Sequence, residues 1–276
     1  MPDAAKGPWI RRVATWAYQN LLRPLIRKPI HGQRLKFATY HWWQYVGLLR
    51  LQSLSLRQRL GLIVRFLVID WNVEHGHKPS ESVAVCRAIA ERPARAGEIV
   101  VEAGCWKGGS SAKFSVVCKL LGYELWIYDS FEGVEPMTVT EEEGWDFTGE
   151  YASAEDVLWD HLRRYGEPDA CRSFKGWFRD TLAKAPIDRV VRVGYIDCDI
   201  VKGTGEALAG IVPQLSTDGW VFTQDYHILG IRNFLALEAT WSNLNREEPV
   251  IRPIIFDLAS IRFQQRDRTA RNGLAP

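Results

Sequence analysis

Acidic side chains follow three short apolar segments in this sequence. Asp129 ends ELWIYD, Asp197 ends VVRVGYID, and Asp225 ends GWVFTQD. Carboxylates that converge on one point repel each other unless a cation or a shared proton lies between them. Their oxygen ligands suit Mg²⁺ or Ca²⁺ better than zinc. If the segments that end in Asp197 and Asp225 are neighbouring strands, these two ends form a candidate site for metal binding or for proton transfer.

A glycine-rich turn follows a fourth apolar segment, in the stretch EIVVEAGCWKGGSSAKF at residues 98 to 114. Glycines allow the backbone to pass close to a ligand, and the helix that follows offers free amide donors at its N-terminus. The spacing is not GxGxxG and no GK[ST] is present, which disfavours a pyrophosphate dinucleotide and a P-loop nucleotide. A nucleoside without phosphates fits better. The candidate ligand-binding residues of this turn are Glu102, Gly104, Trp106, Gly108, Ser110 and Ser111.

Two further strand ends could complete a nucleoside site. Asp129, about 27 residues after Glu102 and followed by Ser130 and Phe131, is placed to accept both hydroxyls of a ribose, although a turn or a helix cap could also use this acid. An aromatic group closes the segment CRSFKG and could cover a purine face or simply pack in the core. The residues at that end are Gly176, Trp177 and Phe178.

The elements that must position these residues alternate between strands and helices from residue 79 onward. Apolar strand patterns cover residues 98–103, 124–129, 171–176, 190–197 and 219–225, followed by a closing pair at 250–256 and 259–265. Helical patterns cover residues 110–121, 152–166, 203–215 and 231–244. This alternation predicts an α/β fold with a doubly wound, mostly parallel, Rossmann-like sheet of seven strands. Ligands of such sheets bind at the carboxyl ends of the strands.

The first 78 residues form a separate helical extension in this interpretation, and residues 79–276 form the sheet domain. Residues 1–70 carry twelve basic and two acidic side chains, a formal charge of +10, whereas the whole chain carries +2. Aromatic and aliphatic residues recur at helical spacing around 9–25, 41–52 and 55–71. These apolar faces could pack on the sheet domain or on another subunit of a homo-oligomer, or residues 1–70 could lie peripherally on an anionic membrane surface.

The composition excludes several classes of protein. No apolar run reaches the roughly 20 residues that span a bilayer, and no signal peptide is recognisable. The five cysteines are scattered without ligand spacing, as expected for reduced thiols in a cytoplasmic protein. The arginines are spread through apolar helical patterns without a base-reading motif, which argues against nucleic acid as a partner.

Several motifs together resemble the macrocin O-methyltransferase family, over roughly residues 79 to 256. They are VVEAGCWKGGSSA, YDSFEGV, GEYASAEDVLWDHLRRYG, FKGWFRDTL, YIDCD and QLSTDGWVFTQDY. The resemblance implies a class I methyltransferase fold and a reaction in which S-adenosylmethionine methylates a hydroxyl of a sugar or glycosylated natural product. It also implies that the glycine-rich turn lies under the methionine part of the cofactor, that Asp129 with Ser130 holds the ribose, and that residues 176–178 border the adenine.

The resemblance further implies a divalent metal, expected to be Mg²⁺, that clamps two hydroxyls of the acceptor. The family pattern is DxDxYxST followed by DDY, and this chain departs from it at Val201, Gly203 and Gln224. One carboxylate is therefore missing from the expected ligand set, which becomes Asp197, Asp225 and Gln224. Asp197 is also the expected catalytic base, and His227 is the expected substitute if the metal is lost.

Other interpretations stay open at this point. His75 and His77, just before the sheet domain, could line the acceptor pocket or be structural. A nicotinamide-dependent oxidoreductase is disfavoured by the glycine spacing. A membrane-associated binding or scaffold protein with a degenerate cofactor fold is the non-enzymatic alternative, favoured by Gln224 and by the basic extension.

Overall fold

The computed structural model describes residues 41–137, 146–185, 187–255 and 257–263. The helical pattern around residues 9–25, and with it much of the basic charge of the extension, lies outside the described residues.

A single mixed sheet organises the described part of the chain. Strands β1 to β5 are parallel, and β7 pairs antiparallel with both β5 and β6 in the order β3-β2-β1-β4-β5-β7-β6. This arrangement confirms the predicted doubly wound, mostly parallel sheet of seven strands. The strands are β1 Glu98–Ala103, β2 Glu124–Asp129, β3 Cys171–Lys175, β4 Val190–Ile196, β5 Leu215–Thr223, β6 Val250–Pro253 and β7 Ala259–Arg262.

Seven α-helices connect and flank the strands in the described residues. They are α1 Leu56–Asn72, α2 Pro79–Ile89, α3 Gly109–Leu121, α4 Glu155–Tyr165, α5 Val201–Ile211, α6 Leu229–Ala236 and α7 Glu238–Ser242. A 3₁₀ helix at Trp42–Arg50 precedes them, so the described part of the extension is helical as predicted. A capping box between Ser55 and Gln58 fixes the start of α1.

One helix expected from the sequence is divided in two. Residues 231–244 have a continuous helical pattern, but Leu237 adopts an extended backbone (φ −79°, ψ 125°) between α6 and α7. The Leu237 carbonyl accepts the Thr240 amide, and the Thr240 hydroxyl donates to the Phe234 carbonyl. These local bonds satisfy the helix ends at the break, which hydrophobic spacing alone does not reveal.

The extension and the sheet domain share one hydrophobic core. Tyr45, Leu62 and Phe66 from the extension belong to the same buried cluster as Val100 of β1 and Phe114 of α3. A second cluster fills the opposite face of the sheet between β1, β4, α5 and α6. The sequence placed a boundary between residues 78 and 79, yet the described residues on its two sides pack together.

A buried group of polar side chains also joins α1 to α3. The Lys113 ammonium lies 2.6 Å from Asp70 Oδ1, and Asp70 also accepts the Tyr45 hydroxyl at 2.6 Å. His75 Nε2 lies 2.8 Å from the same carboxylate. Burial acts to raise the pKa of Asp70, but the charge of Lys113 and the His75 contact outweigh it and hold this pKa well below its usual value.

An apolar stripe on α1 faces away from this core. Its members recur every three or four residues and are between 42% and 62% exposed: Leu56, Leu60, Val64, Val68 and Trp71. Contact of this stripe with another subunit or with lipid stays a prediction. Within the described ranges, no helix combines the length and the apolar character needed to cross a bilayer.

Candidate active site

A cavity of about 300 Å³ opens at the carboxyl edge of the sheet, where β1, β2, β4 and β5 end. The segment at residues 74–77, between α1 and α2, forms one of its walls. Eleven of the residues that the sequence indicated as site candidates line it: His75, His77, Gly104, Trp106, Asp129, Ser130, Trp177, Phe178, Asp197, Gln224 and His227. The others lie in the surrounding structure rather than in the lining: Glu102, Gly108, Ser110, Ser111, Phe131, Gly176 and Asp225.

The turn after β1 depends on Gly104. Its φ is 89°, and a Cβ at this position would lie 1.8 Å from the Asp197 carbonyl oxygen. The Gly104 amide donates to the Tyr128 carbonyl at 2.9 Å, which ties the turn to the end of β2. Because any other residue would force β1 and β4 apart, glycine is what brings the turn and Asp197 to the same cavity.

The Asp129 carboxylate organises the same turn. Its Oδ2 accepts the amides of Cys105 (2.7 Å) and Trp106 (3.1 Å), and its Oδ1 accepts the Phe131 amide (2.7 Å). A carboxylate has about four acceptor positions, so it can also accept a ligand hydroxyl. Its position in the lining agrees with the predicted ribose contact, which stays a prediction.

Glu102 lies beneath the turn rather than in the cavity. Its side chain is fully buried and accepts a hydrogen bond from the Ser111 hydroxyl at 2.5 Å. Burial raises the pKa of Glu102 to about 8, against the opposing effect of bonds from Ser110 and Ser111. The predicted contact of Glu102 with a cofactor would therefore be indirect, through the backbone that it supports.

Several aromatic side chains line the cavity and form its aromatic wall. Trp177 and Phe178 line it, and Trp106 packs edge-on against Tyr151 with 5.5 Å between ring centroids. Trp106 and Tyr151 both have positive φ, 48° and 58°, a backbone conformation that costs energy in residues other than glycine. Strained backbone of this kind concentrates at binding sites.

The three donors predicted to bind a metal are all engaged with other groups. Asp197 Oδ2 lies 2.7 Å from His77 Nε2. Asp225 Oδ2 accepts the amides of Cys198 and Asp199, both at 2.9 Å, and so holds the turn after β4. The Gln224 amide oxygen accepts the Tyr195 hydroxyl at 3.0 Å.

Burial and mutual repulsion raise the pKa values of the acids that follow β4 and β5. Burial, followed by the charge of Asp129, raises the pKa of Asp197 to about 7. Burial and the charge of Asp197 raise the pKa of Asp225 to about 7, and burial with both neighbours raises that of Asp199 well above its ordinary value. Burial lowers the pKa of His77 to about 4. Titratable groups with pKa values shifted toward neutrality are typical of catalytic clefts.

As arranged, this donor set does not fit a divalent cation. Within the described ranges, no three His, Cys, Asp or Glu side chains are grouped so that they could hold a metal ion. Asp225 uses one oxygen for two amides, and Gln224 contributes a neutral amide oxygen that already accepts a hydroxyl. The expected Mg²⁺ site therefore has no support from the geometry of the described residues.

Two histidines lie at this site in different settings. His227 lines the cavity rim, is 39% exposed, and has its Nδ1 3.6 Å from Asp257 Oδ1. His77 lies deeper, with 12% of its side chain exposed. The sequence indicated His77 only as one of two histidines in a loop, because its partner Asp197 is 120 residues away.

The fold and the site together define a class I methyltransferase: the strand order, the glycine-rich turn after β1, and the acids after β2 and β4 all meet at one cavity. Residues 81–252, more than half of the chain, match the family model described as macrocin O-methyltransferase (TylF). The chain belongs to the macrocin O-methyltransferase family and is an O-methyltransferase, as the motifs predicted.

Curated relatives include O-methyltransferases of two Streptomyces species. The 8-demethyl-8-(2,3-dimethoxy-alpha-L-rhamnosyl)-tetracenomycin-C 4'-O-methyltransferase of Streptomyces olivaceus is 31% identical over 183 residues, 61% of this chain and 69% of that protein. The demethyldecarbamoylnovobiocin O-methyltransferase of Streptomyces niveus is 29% identical over 142 residues, 46% of this chain and 52% of that protein. The match thus spans about half of the second relative.

Solved structures share the fold at low sequence identity. The O-methyltransferase NovP superposes with a TM-score of 0.64 at 18% identity, over 75% of this chain and all of that chain. The calicheamicin methyltransferase CalS11 superposes with a TM-score of 0.53 at 18% identity, over 96% of this chain and all of that chain. Neither the oxidoreductase nor the scaffold alternative finds support among these proteins.

Proposed function

We propose that this chain transfers the methyl group of S-adenosylmethionine to a hydroxyl oxygen of a sugar or glycosylated metabolite. The observation that carries the proposal is one cavity lined by two kinds of group. The glycine-rich turn, Asp129 and the aromatic wall offer a nucleoside site, and Asp197, whose backbone lies against Gly104, offers a proton acceptor in the same cavity. The rhamnosyl acceptor in the name of the Streptomyces olivaceus relative supports a sugar as acceptor.

In this reaction the protein mainly has to align the acceptor oxygen with the methyl group and to remove the hydroxyl proton. The acceptor oxygen attacks the methyl carbon in line, the S–CH₃ bond breaks, and its electron pair stays on sulfur, which leaves as the neutral thioether of S-adenosylhomocysteine. The hydroxyl proton passes to the Asp197 carboxylate and from there to solvent. Asp129 and the turn after β1 would bind the nucleoside, and the aromatic wall would exclude water from the sulfonium.

Calorimetric titration with S-adenosylhomocysteine tests the cofactor. We expect the wild-type chain to bind it and Asp129→Asn to bind it about 10- to 150-fold more weakly, since a hydrogen bond to a charged group contributes about 1.5–3 kcal/mol. Asp156→Asn, an exposed acid on α4, is the matched control. No binding at about 1 mM would mean less than about 4 kcal/mol of binding free energy and would overturn the proposal.

The acceptor is tested separately, with methyl-labelled S-adenosylmethionine and a panel of p-nitrophenyl glycosides that includes the α-L-rhamnoside. We expect label in at least one glycoside. Label in a simple catechol and in none of the glycosides would contradict the sugar assignment while leaving methyl transfer intact.

A further inference from the structure

His77 contacts the candidate base from outside the part of the chain that matches the family. It lies between α1 and α2, ahead of the matched residues 81–252. Its Nε2 is 2.7 Å from Asp197 Oδ2, inside the cavity. The family match therefore assigns this histidine no role.

The imidazole of His77 has two aromatic neighbours. The His75 ring stacks on it at 6.1 Å with 16° between the planes, and the Tyr195 ring meets it edge-on at 5.8 Å. His75 is in turn fixed by its contact with Asp70, and it lies so close to α3 that a Cβ on Gly109 would be 2.6 Å from the His75 Cβ. A ring packed in this way presents its Nε2 to Asp197 in one orientation.

The contact also determines which ring nitrogen carries the proton. Asp197 must be ionised to act as the proton acceptor, and an ionised carboxylate only accepts hydrogen bonds, so in the reactive state the 2.7 Å contact places the ring proton on Nε2. Nδ1 of His77 is buried and has no hydrogen-bond partner among the described residues. Asp197 alone therefore fixes the tautomer, and His77 in return fixes the carboxylate.

At the site of the His77–Asp197 contact, this chain lacks one acid of the family pattern. Gln224 replaces a carboxylate and accepts the Tyr195 hydroxyl, and Asp225 is occupied by two amides. Neither of these side chains orients Asp197 directly, whereas His77 does. Resting on the proposed function, we propose that His77 is a positioning residue that holds the Asp197 carboxylate toward the acceptor hydroxyl in a methyl transfer that needs no divalent metal.

The first test observes the contact itself, without an acceptor. In the complex with S-adenosylhomocysteine, ¹⁵N-labelled histidine gives long-range ¹H–¹⁵N correlations that distinguish the two tautomers, and His77→Gln assigns the signal. At about pH 8, where Asp197 is ionised, we expect the Nε2–H tautomer at residue 77, lost in Asp197→Asn, and unchanged by millimolar Mg²⁺ or by EDTA. An Nδ1–H tautomer, or a signal that moves on adding Mg²⁺, would overturn the proposal.

The second test measures kcat with a p-nitrophenyl glycoside that the wild-type chain methylates. We expect His77→Leu to lower kcat by about 10²-fold, the loss that misplacement by about 1 Å can cause, with little change in KM. His77→Gln, whose amide nitrogen reaches about as far as Nε2, should recover part of this loss, and His77→Asn, one bond shorter, should not. Equal kcat in all three variants, or dependence of the wild-type kcat on Mg²⁺, would contradict the proposal.

Two controls separate this inference from the function on which it rests. His41→Leu changes an exposed histidine and should leave kcat unchanged. Each His77 variant should bind S-adenosylhomocysteine as the wild-type chain does. Failure of the wild-type chain to bind it would count against methyl transfer, whereas normal binding with an unchanged kcat in His77→Leu would count against His77 alone.

Discussion

Asp197 combines three properties that a proton acceptor needs at this site. It lines the cavity, its backbone lies against the turn at Gly104, and its carboxylate has a fixed partner in His77. Burial raises its pKa to about 7, which brings its proton affinity closer to that required for accepting a proton near neutral pH. Among single residues, replacement of Asp197 is therefore the most direct test of the proposed proton transfer.

Asp197→Asn should abolish most turnover while leaving the cofactor site intact. We expect kcat to fall by about 10²–10⁴-fold, the usual contribution of a general base, with the affinity for S-adenosylhomocysteine within about threefold of wild type. Asp156→Asn serves again as the exposed control. A kcat within a few-fold of wild type would remove Asp197 from the reaction.

Glu102 gives a residue-level prediction about stability. Its pKa is raised by burial from 4.5 to about 8, so the protonated form stabilises the fold. That contribution is complete below about pH 4.5 and is lost as the pH rises through 8. We expect the thermal midpoint of Glu102→Gln to rise relative to that of the wild-type chain as the pH rises from 5 to 8.

Other buried acids of the site also destabilise the fold as the pH rises, so the comparison must be the difference between the two proteins rather than either curve alone. The exposed Glu132→Gln is the matched control and should follow the wild-type curve. A difference between Glu102→Gln and wild type that stays constant with pH would show that Glu102 is ionised in the folded chain.

At the scale of elements, the site depends on how closely β1 and β4 end beside each other. Gly104→Ala would place a methyl group against the Asp197 carbonyl, at a φ that alanine rarely adopts. We expect a loss of about 1–3 kcal/mol in the free energy of unfolding, with weaker binding of S-adenosylhomocysteine, measured by denaturation and calorimetry.

Gly61→Ala is the matched control for this variant. Gly61 lies in α1, and a Cβ there would meet no atom within 4 Å. Because alanine is the better helix former by about 1 kcal/mol, Gly61→Ala should keep or raise the stability. Unchanged cofactor binding in Gly104→Ala would show that the turn tolerates the displacement.

The sequence predicted the elements better than it predicted the contacts between them. The apolar residues at the centre of β1, the acid at the end of β2 and the turn chemistry between β1 and α3 are local patterns, and the structure has each element where these patterns indicated it. The contact of Asp225 with two amides, and that of His77 with Asp197, join segments 26 to 120 residues apart. No local pattern contains such pairs, since they arise only when the sheet brings the strand ends together.

The break at Leu237 shows the same limit within one element. Hydrophobic spacing predicts one helix from 231 to 244, but hydrogen bonds of Thr240 to the backbone stabilise two shorter ones. The spacing of apolar residues indicates which face of a helix is buried, but it does not indicate whether the helix continues without a break. The existence and type of an element are therefore predicted more securely than its boundaries.

At the scale of the whole molecule, the described part of the extension is joined to the sheet domain by a buried charge pair as well as by the core. The Lys113 side chain is fully buried, and its ammonium lies 2.6 Å from Asp70 Oδ1. The same carboxylate contacts His75, which packs on His77. The extension therefore takes part in both the stability and the site of the molecule.

Lys113→Met should destabilise the whole molecule, because it removes the ammonium group that lies 2.6 Å from the buried Asp70 carboxylate. Breaking a buried pair in this way costs about 3–5 kcal/mol, whereas replacing both partners costs much less. We therefore expect a loss of that size in the free energy of unfolding for Lys113→Met and a partial recovery in the double variant Asp70→Asn/Lys113→Met.

Lys184→Met, which breaks an exposed pair with Asp180, should leave stability unchanged. If the single and double variants are equally unstable, the loss comes from packing around Lys113 rather than from an unpaired charge, and the charge pair is not what joins the extension to the sheet domain.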